Sequence, residues 1–152
     1  MAKATQRQIV ASISPNNEPG HVLGPRIMKS ATDYFTTVSG GEISATVEKV
    51  YDGGKRFPEV LCAPSEIGDI TVTKFYDAEA YGATLSQLRQ LVGQTYYDVT
   101  ILTLDCDLAV GGSERVYSKC LLVGLTEPDG DASSGAPAQF SLTFSVSTVS
   151  AA

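Results

Sequence analysis

The chain has 152 residues and a mass of 16.0 kDa, 43% hydrophobic and 18% charged, with one histidine and no tryptophan. That is enough for one domain with its own core and excludes a wholly disordered chain, while a net charge of −6 and a pI near 4.6 argue against a protein that grips nucleic acid through phosphates. Cys62, Cys106 and Cys120 form no C-x-x-C pair and are odd in number, which suggests neither a zinc ribbon nor a paired disulfide framework.

Residues 1–29 carry Lys3, Arg7, Arg26 and Lys29 against Glu18 alone, a local charge of +3 that leaves −9 on the rest. Pro15, Pro19, Gly20, Gly24 and Pro25 interrupt any helix there, so the segment reads as a detachable basic arm on an acidic body spanning 30–152. Its opening twenty residues hold no apolar stretch of signal-peptide length, and no later segment reaches the ~20 apolar residues of a membrane span.

In the body, Ile43, Ala45 and Val47 alternate with Glu42, Ser44, Thr46 and Glu48, which predicts a strand with one dry face. Asp52 to Gly68, with a Gly pair and two prolines, reads as a long loop. Ile70 and Val72 against Asp69, Thr71 and Thr73 predict a further strand. Thr84 with Gln87 three residues on forms a capping-box pattern; Leu85, Leu88, Leu91 and Val92 follow at helical spacing, and Gly93 supplies a stop. A short helix covering one end or face of a barrel is expected.

Tyr97–Leu104 and Arg115–Leu125 are more continuously apolar, as in central strands covered on both sides. Between them Asp105, Cys106, Asp107 and Glu114 surround Gly111 and Gly112; the spacing does not match an EF-hand loop, and an acidic turn accounts for it. Asp129–Pro137 is a polar turn, and Gln139–Val149 alternates Phe140, Leu142, Phe144 and Val146 with Ser141, Thr143, Ser145 and Ser147. The expected fold is all-β with one short helix, a sandwich or barrel.

Catalytic parts are missing. The lone His21 sits in the Pro/Gly-rich arm, no G-x-S-x-G elbow occurs, and Cys120 lies inside an apolar strand. Gly40-Gly41 and Gly53-Gly54 do not open helices after strands, so they read as turns rather than phosphate cradles. No enzyme activity, cofactor or metal site is expected, and an acidic body with a basic arm suggests self-association.

The succession F-T-T-V-S-G-G-E-I-S (Phe35 to Ser44), Y-D-G-G (Tyr51 to Gly54), G-D-I-T-V-T-K (Gly68 to Lys74), Y-D-V-T-I-L-T-L-D (Tyr97 to Asp105) and R-V-Y-S-K-C-L-L-V-G-L-T-E-P (Arg115 to Pro128) resembles the tail tube proteins of long-tailed bacteriophages. The resemblance implies a barrel whose inner sheet joins its neighbours edge to edge in a ring of six copies, with rings stacked into a hollow tube. Such a tube surrounds a tape-measure protein, meets tail-end proteins and later conducts DNA without binding it specifically. It implies a virion tail component assembled in the host cytoplasm, with no membrane partner. Six copies at −6 would carry −36, a sign that repels DNA phosphates. On the polar sides of strands that the resemblance places near the inner sheet, Glu42, Glu48, Asp69, Thr71 and Thr73 are the expected lumen residues, with Ser141, Thr143 and Ser145 as weaker candidates. The loop 52–68 matches the family's inter-subunit loop, and Lys3, Arg7, Arg26 and Lys29 are expected to meet carboxylates of the adjacent ring. A tube protein of a contractile secretion system shares the fold; a carbohydrate-binding β-sandwich is the alternative of another class.

Overall fold

The computed structural model describes residues 3, 5–16, 19–20, 22–30, 32–107 and 109–151. Its centre is a seven-stranded sheet in which every pairing is antiparallel. The strands are β1 (Ile9–Pro15), β2 (Thr37–Gly40), β7 (Ile70–Phe75), β8 (Tyr96–Leu104), β9 (Val110–Thr126), β10 (Gln139–Ser145) and β11 (Thr148–Ala151). They lie in the order β1-β8-β9-β10-β7-β2, with β11 beside β9 in line with β10. A pair of backbone hydrogen bonds between Ala11 and Phe35 ties the segment entering β2 back to β1, so the sheet curls strongly into a half-barrel.

Alternation explains the interior. Ala11 and Ile13, Tyr97, Val99 and Ile101, Phe140, Leu142 and Phe144, and Ile70 and Val72 all belong to one buried cluster. Its aromatic rings meet edge to face: Phe35 and Phe140 at 6.0 Å, Tyr97 and Phe144 at 5.9 Å. In β9 the period breaks. Opposite Asp98 the register slips by one residue, Lys119 takes φ 54°, and the inward series passes from Tyr117 to Cys120 and Leu122. The near-continuous apolar run of Arg115–Leu125 is therefore partly a bulged strand whose parity changes midway. β8 is covered on its second face only toward its end, where Leu102 and Leu104 pack with Val10 and Tyr34.

The helix α1 (Ala78–Leu91) begins earlier than the capping-box pattern suggests. Asp77 is the N-cap, its carboxylate accepting from the amides of Glu79 and Ala80. Thr84 instead sits inside the helix and is buried, its hydroxyl accepting from Lys29 Nζ at 2.6 Å. Tyr81, Leu85 and Leu88 join the barrel core, and Gly93 at φ 84° turns the chain beyond the helix end.

Within the segment expected as a detachable arm, residues 9–15 and the buried Ile27 and Met28 are part of the packed domain. The correction has a plain cause in the alternation of I-V-A-S-I-S, which suits a half-buried strand: Ile9–Pro15 pairs along its length with β8. Ile27 and Met28 are buried, Thr95 Oγ1 donates to the Val22 carbonyl at 3.1 Å, and Tyr97 donates to the Pro25 carbonyl at 2.8 Å. Gly24 lies so close to Tyr97 that a Cβ would stand 2.3 Å from its hydroxyl. Two further expectations change. Gln139–Val149 is split between β10 and β11, and the stretch expected as a loop over 52–68 contains two short strands.

Candidate functional site: an exposed hairpin beside a hydroxyl-lined sheet

Between β2 and β7 the chain leaves the barrel as a two-step hairpin. Its inner ladder pairs β3 (Ile43–Ala45) with β6 (Ser65–Ile67), and its outer ladder pairs β4 (Glu48–Val50) with β5 (Glu59–Leu61). Glycines set its base. Gly40 and Gly41 both take positive φ, at 90° and 76°, and a Cβ on Gly40 would stand 1.9 Å from the Asp69 carbonyl oxygen. Gly41 N donates to that same carbonyl, Gly68 N donates to the Glu42 carbonyl at 2.8 Å, and Tyr117 Oη donates to the Gly41 carbonyl from inside the barrel.

The hairpin has no core of its own. Tyr51 and Phe57 are 72% and 75% exposed, and Ile43, Val47, Val50, Val60 and Leu61 are also exposed. The dry face expected for Ile43, Ala45 and Val47 is thus open to solvent, because the partner strand supplied by the chain covers only their edge. A projecting two-stranded ribbon is marginal in water by itself, and a cluster of bare aromatic and branched side chains on it marks a contact surface.

On β2, β7, β10 and the end of β9, hydroxyl side chains recur at positions that point away from the core, with Phe75, Gln139 and Val123 exposed at the margins. Register places Thr37, Thr73, Ser141 and Thr126 in one cross-strand row and Ser39, Thr71, Thr143 and Gly124 in the next. Thr71 Oγ1 and Thr143 Oγ1 are 3.4 Å apart. The structure therefore brings Thr71 and Thr73 together with Ser141 and Thr143. Asp69 is exposed immediately before β7, and Glu42 lies at the hairpin base with its carboxylate against Gly68. Glu48 belongs to the outer ladder, in a separate two-stranded sheet. Thr37, Ser39 and Thr126 were not singled out by sequence; the alternation in T-T-V-S-G and L-T-E held the signal, but strand neighbours three or more elements apart are invisible without the topology.

The basic residues differ in their settings. Lys3 and Arg26 are exposed, Arg7 lies in a 3-10 turn (Gln6–Gln8) with its side chain outside the described residues, and Lys29 is bound to Thr84 and lies 6.0 Å from the Tyr81 ring centre. His21 also lies outside the described residues. Among the described residues no group of three or more His, Cys, Asp or Glu side chains is placed to hold a metal ion. Asp105 instead accepts from the amides of Asp107 and Ala109, closing the β8–β9 turn. Cys120 is fully buried, donates to the Tyr117 carbonyl, and its thiol is pushed up to about 12, chiefly by burial.

Three lining surfaces are open and shallow, and among the described residues none joins an activated nucleophile to a base. No protein-family model matches the sequence, and no curated protein is similar to it at sequence level. Solved structures do match in fold. The chain is similar to one in the sheath–tube complex of an extracellular contractile injection system (PVC) in its extended state, with TM-score 0.72 and 19% identity over 99% of this chain and 91% of the other. It is also similar to a chain of the anti-feeding prophage baseplate (TM-score 0.74, 16% identity, 100% and 97% covered) and to one of that prophage's tube-terminating cap (0.71, 18%, 100% and 92%). At these identities the likeness is one of fold, and it spans essentially the whole chain.

Proposed function

We propose that this protein is a structural, non-enzymatic subunit that assembles with copies of itself into stacked rings forming a hollow tube, as in contractile injection machines and phage-like tails. The observation that carries the reading is the apolar hairpin projecting from an otherwise well-buried domain: its exposed aromatic and branched side chains need a partner surface. The fold shared with chains of injection-system assemblies supports the same conclusion.

In this reading six copies form each ring, and the hydroxyl rows face the lumen. Thr71 and Thr73 lie at its centre, with Asp69 and Glu42 at the hairpin base, while Glu48, also expected at the lumen, stands on the outer ladder. Hydroxyl side chains give a wetted wall that offers no cationic group, so a polyanion that passes is not held, and the acidic surplus of the ring keeps it from settling. DNA is the cargo of a virion tail and a tape-measure protein its filling during assembly in the host cytoplasm; a secreted cargo is the counterpart for an extracellular injection machine, the setting that the fold neighbours favour. Lys3, Arg7, Arg26 and Lys29 meet carboxylates of the adjacent ring. Because β1 is part of the barrel, that contact is tested by Lys3→Glu with Arg26→Glu rather than by truncation: polymerisation that is unaltered by this charge reversal at low salt rules it out.

Electron microscopy of the concentrated purified protein tests the main proposal. Rings or hollow tubes are expected; a protein that stays monomeric at every concentration and salt tried overturns it.

A further inference from the structure

We propose that the outer β4–β5 ladder of one copy docks into a forked groove between β6 and β11 of a second copy; this inference names the receiving surface for the self-assembly reading above and rests on it. The fork arises from the topology. β7 and β10 are paired from Phe75–Gln139 to Ile70–Phe144, and beyond that point their continuations part. The β7 side leads back to β6, which pairs with β3; the β10 side leads on to β11, which pairs with β9. The space between them is a groove of about 610 Å³ lined by Ser65, Glu66, Ile67, Val146, Ser147 and Val149.

Both walls are strand edges. Among the described residues β6 and β11 each pair on one side only, leaving backbone donors and acceptors directed into the groove. The β4–β5 ladder has the same deficiency, since its two strands pair only with each other. Lengths match: β4, β5 and β6 have three residues each and β11 has four. Inserting the ladder would satisfy free edges on both molecules by strand addition.

Side-chain chemistry agrees. The groove has half-buried Ile67, Val146 and Val149 at its walls, and the ladder carries exposed Val50, Val60 and Leu61. Glu66 is exposed and makes no ion pair among the described residues, while Lys49 on β4 and Arg56 at the hairpin tip have no carboxylate partner among them. Ladder and groove are different surfaces of one chain, so their contact is head-to-tail and continues from copy to copy.

Cys62, exposed just after β5, supplies the test. In a Cys106→Ser background, Ser147→Cys places a second thiol on the groove wall. Mild oxidation of the concentrated protein should then give a covalent ladder of oligomers on a non-reducing gel, lost with Cys62→Ser, without Ser147→Cys, or on dilution to monomer. Should Ser147→Cys itself prevent folding, Ser65→Cys on the opposite wall takes its place. Oligomers seen by light scattering with no such ladder from either cysteine overturn the groove while leaving self-assembly standing. Wild-type protein that never oligomerises overturns both.

Discussion

Replacing Asp33 with alanine removes the centre of the clasp that fastens the segment before β2 to the helix and to β7. Its carboxylate pairs with Lys74 and accepts from Tyr81 Oη and from the Lys29 amide at 3.0 Å. Lys74 in turn donates to the Tyr34 carbonyl at 2.9 Å and lies 5.6 Å from the Phe35 ring centre, so the ammonium cannot leave for water without unpacking the core edge. Breaking a buried pair from one side costs ~3–5 kcal/mol, because the surviving charge stays desolvated. Side-chain exposures of 12% for Lys74 and 19% for Asp33, and the bond that Lys74 keeps to Tyr34, place this case at the lower end, about 3 kcal/mol. With a urea m-value of roughly 2 kcal/mol/M, the denaturation midpoint should fall by about 1.5 M. Adding Lys74→Met should recover part of the loss, since it removes the orphaned charge. Acid should act on wild type in the same direction. Burial alone would raise the Asp33 pKa, but hydrogen bonds from Lys74, Tyr81 and the Lys29 amide, with the Lys74 charge, outweigh it and leave it below 3.8. A lowered folded-state value means that the contribution is present above the unfolded value and is lost as pH falls through the folded one. The gap between wild type and Asp33→Ala should therefore be constant near neutrality and narrow as the pH drops below 3.8. A cost under about 1 kcal/mol at neutral pH, the range of an exposed ion pair, would refute the reasoning.

Gly40→Ala should destabilise by about 3 kcal/mol or more, lowering Tm by roughly 6–12 °C in a thermal melt, because the new Cβ meets the backbone carbonyl of Asp69 at a positive φ. Gly53→Ala, with open space around it and no positive φ, should change Tm by no more than about 1–2 °C. A thiol-specific dye at pH 8 should count two reactive cysteines, Cys62 and Cys106, in the native protein and three in denaturant; fast labelling of Cys120 in the native state would contradict its burial. Phe57→Ser should leave the unfolding midpoint of dilute protein within about 0.5 kcal/mol of wild type, yet weaken self-association seen by light scattering.

Much of the architecture is written in local pattern, and what is not has a physical explanation. Period-two alternation in Phe140–Val146 and in Ile70–Thr73 identifies both strands and their buried faces, and Leu85 and Leu88 mark a helix that the structure contains. The same alternation is present in Ile9–Ser14, the body of β1, but Pro15, Pro19 and Gly20 directly after it give the segment the look of an irregular arm. Thr84 carries the signature of a cap because a hydroxyl followed by glutamine three residues on looks the same whether it caps a helix or lies within one, and only Lys29, 55 residues away, distinguishes the two. Of the expected lumen residues, Thr71 and Thr73 fall within the hydroxyl rows, whereas Glu48 falls on a different sheet, a separation that depends on where the ladder from β3 ends.

By itself the sequence determines a net acidic, all-β chain with one helix, whose alternating strands divide apolar from hydroxylated faces. These are properties of side chains a few residues apart, and they follow from strand and helix periods alone. Only the tertiary structure decides that polar faces of separate strands meet in hydroxyl rows, that residues 9–15 form an edge strand of the curled sheet, and that the stretch read as a loop is part of an exposed apolar hairpin. Those depend on pairings between residues tens of positions apart, whose free energy is shared among all the strands and belongs to no single segment.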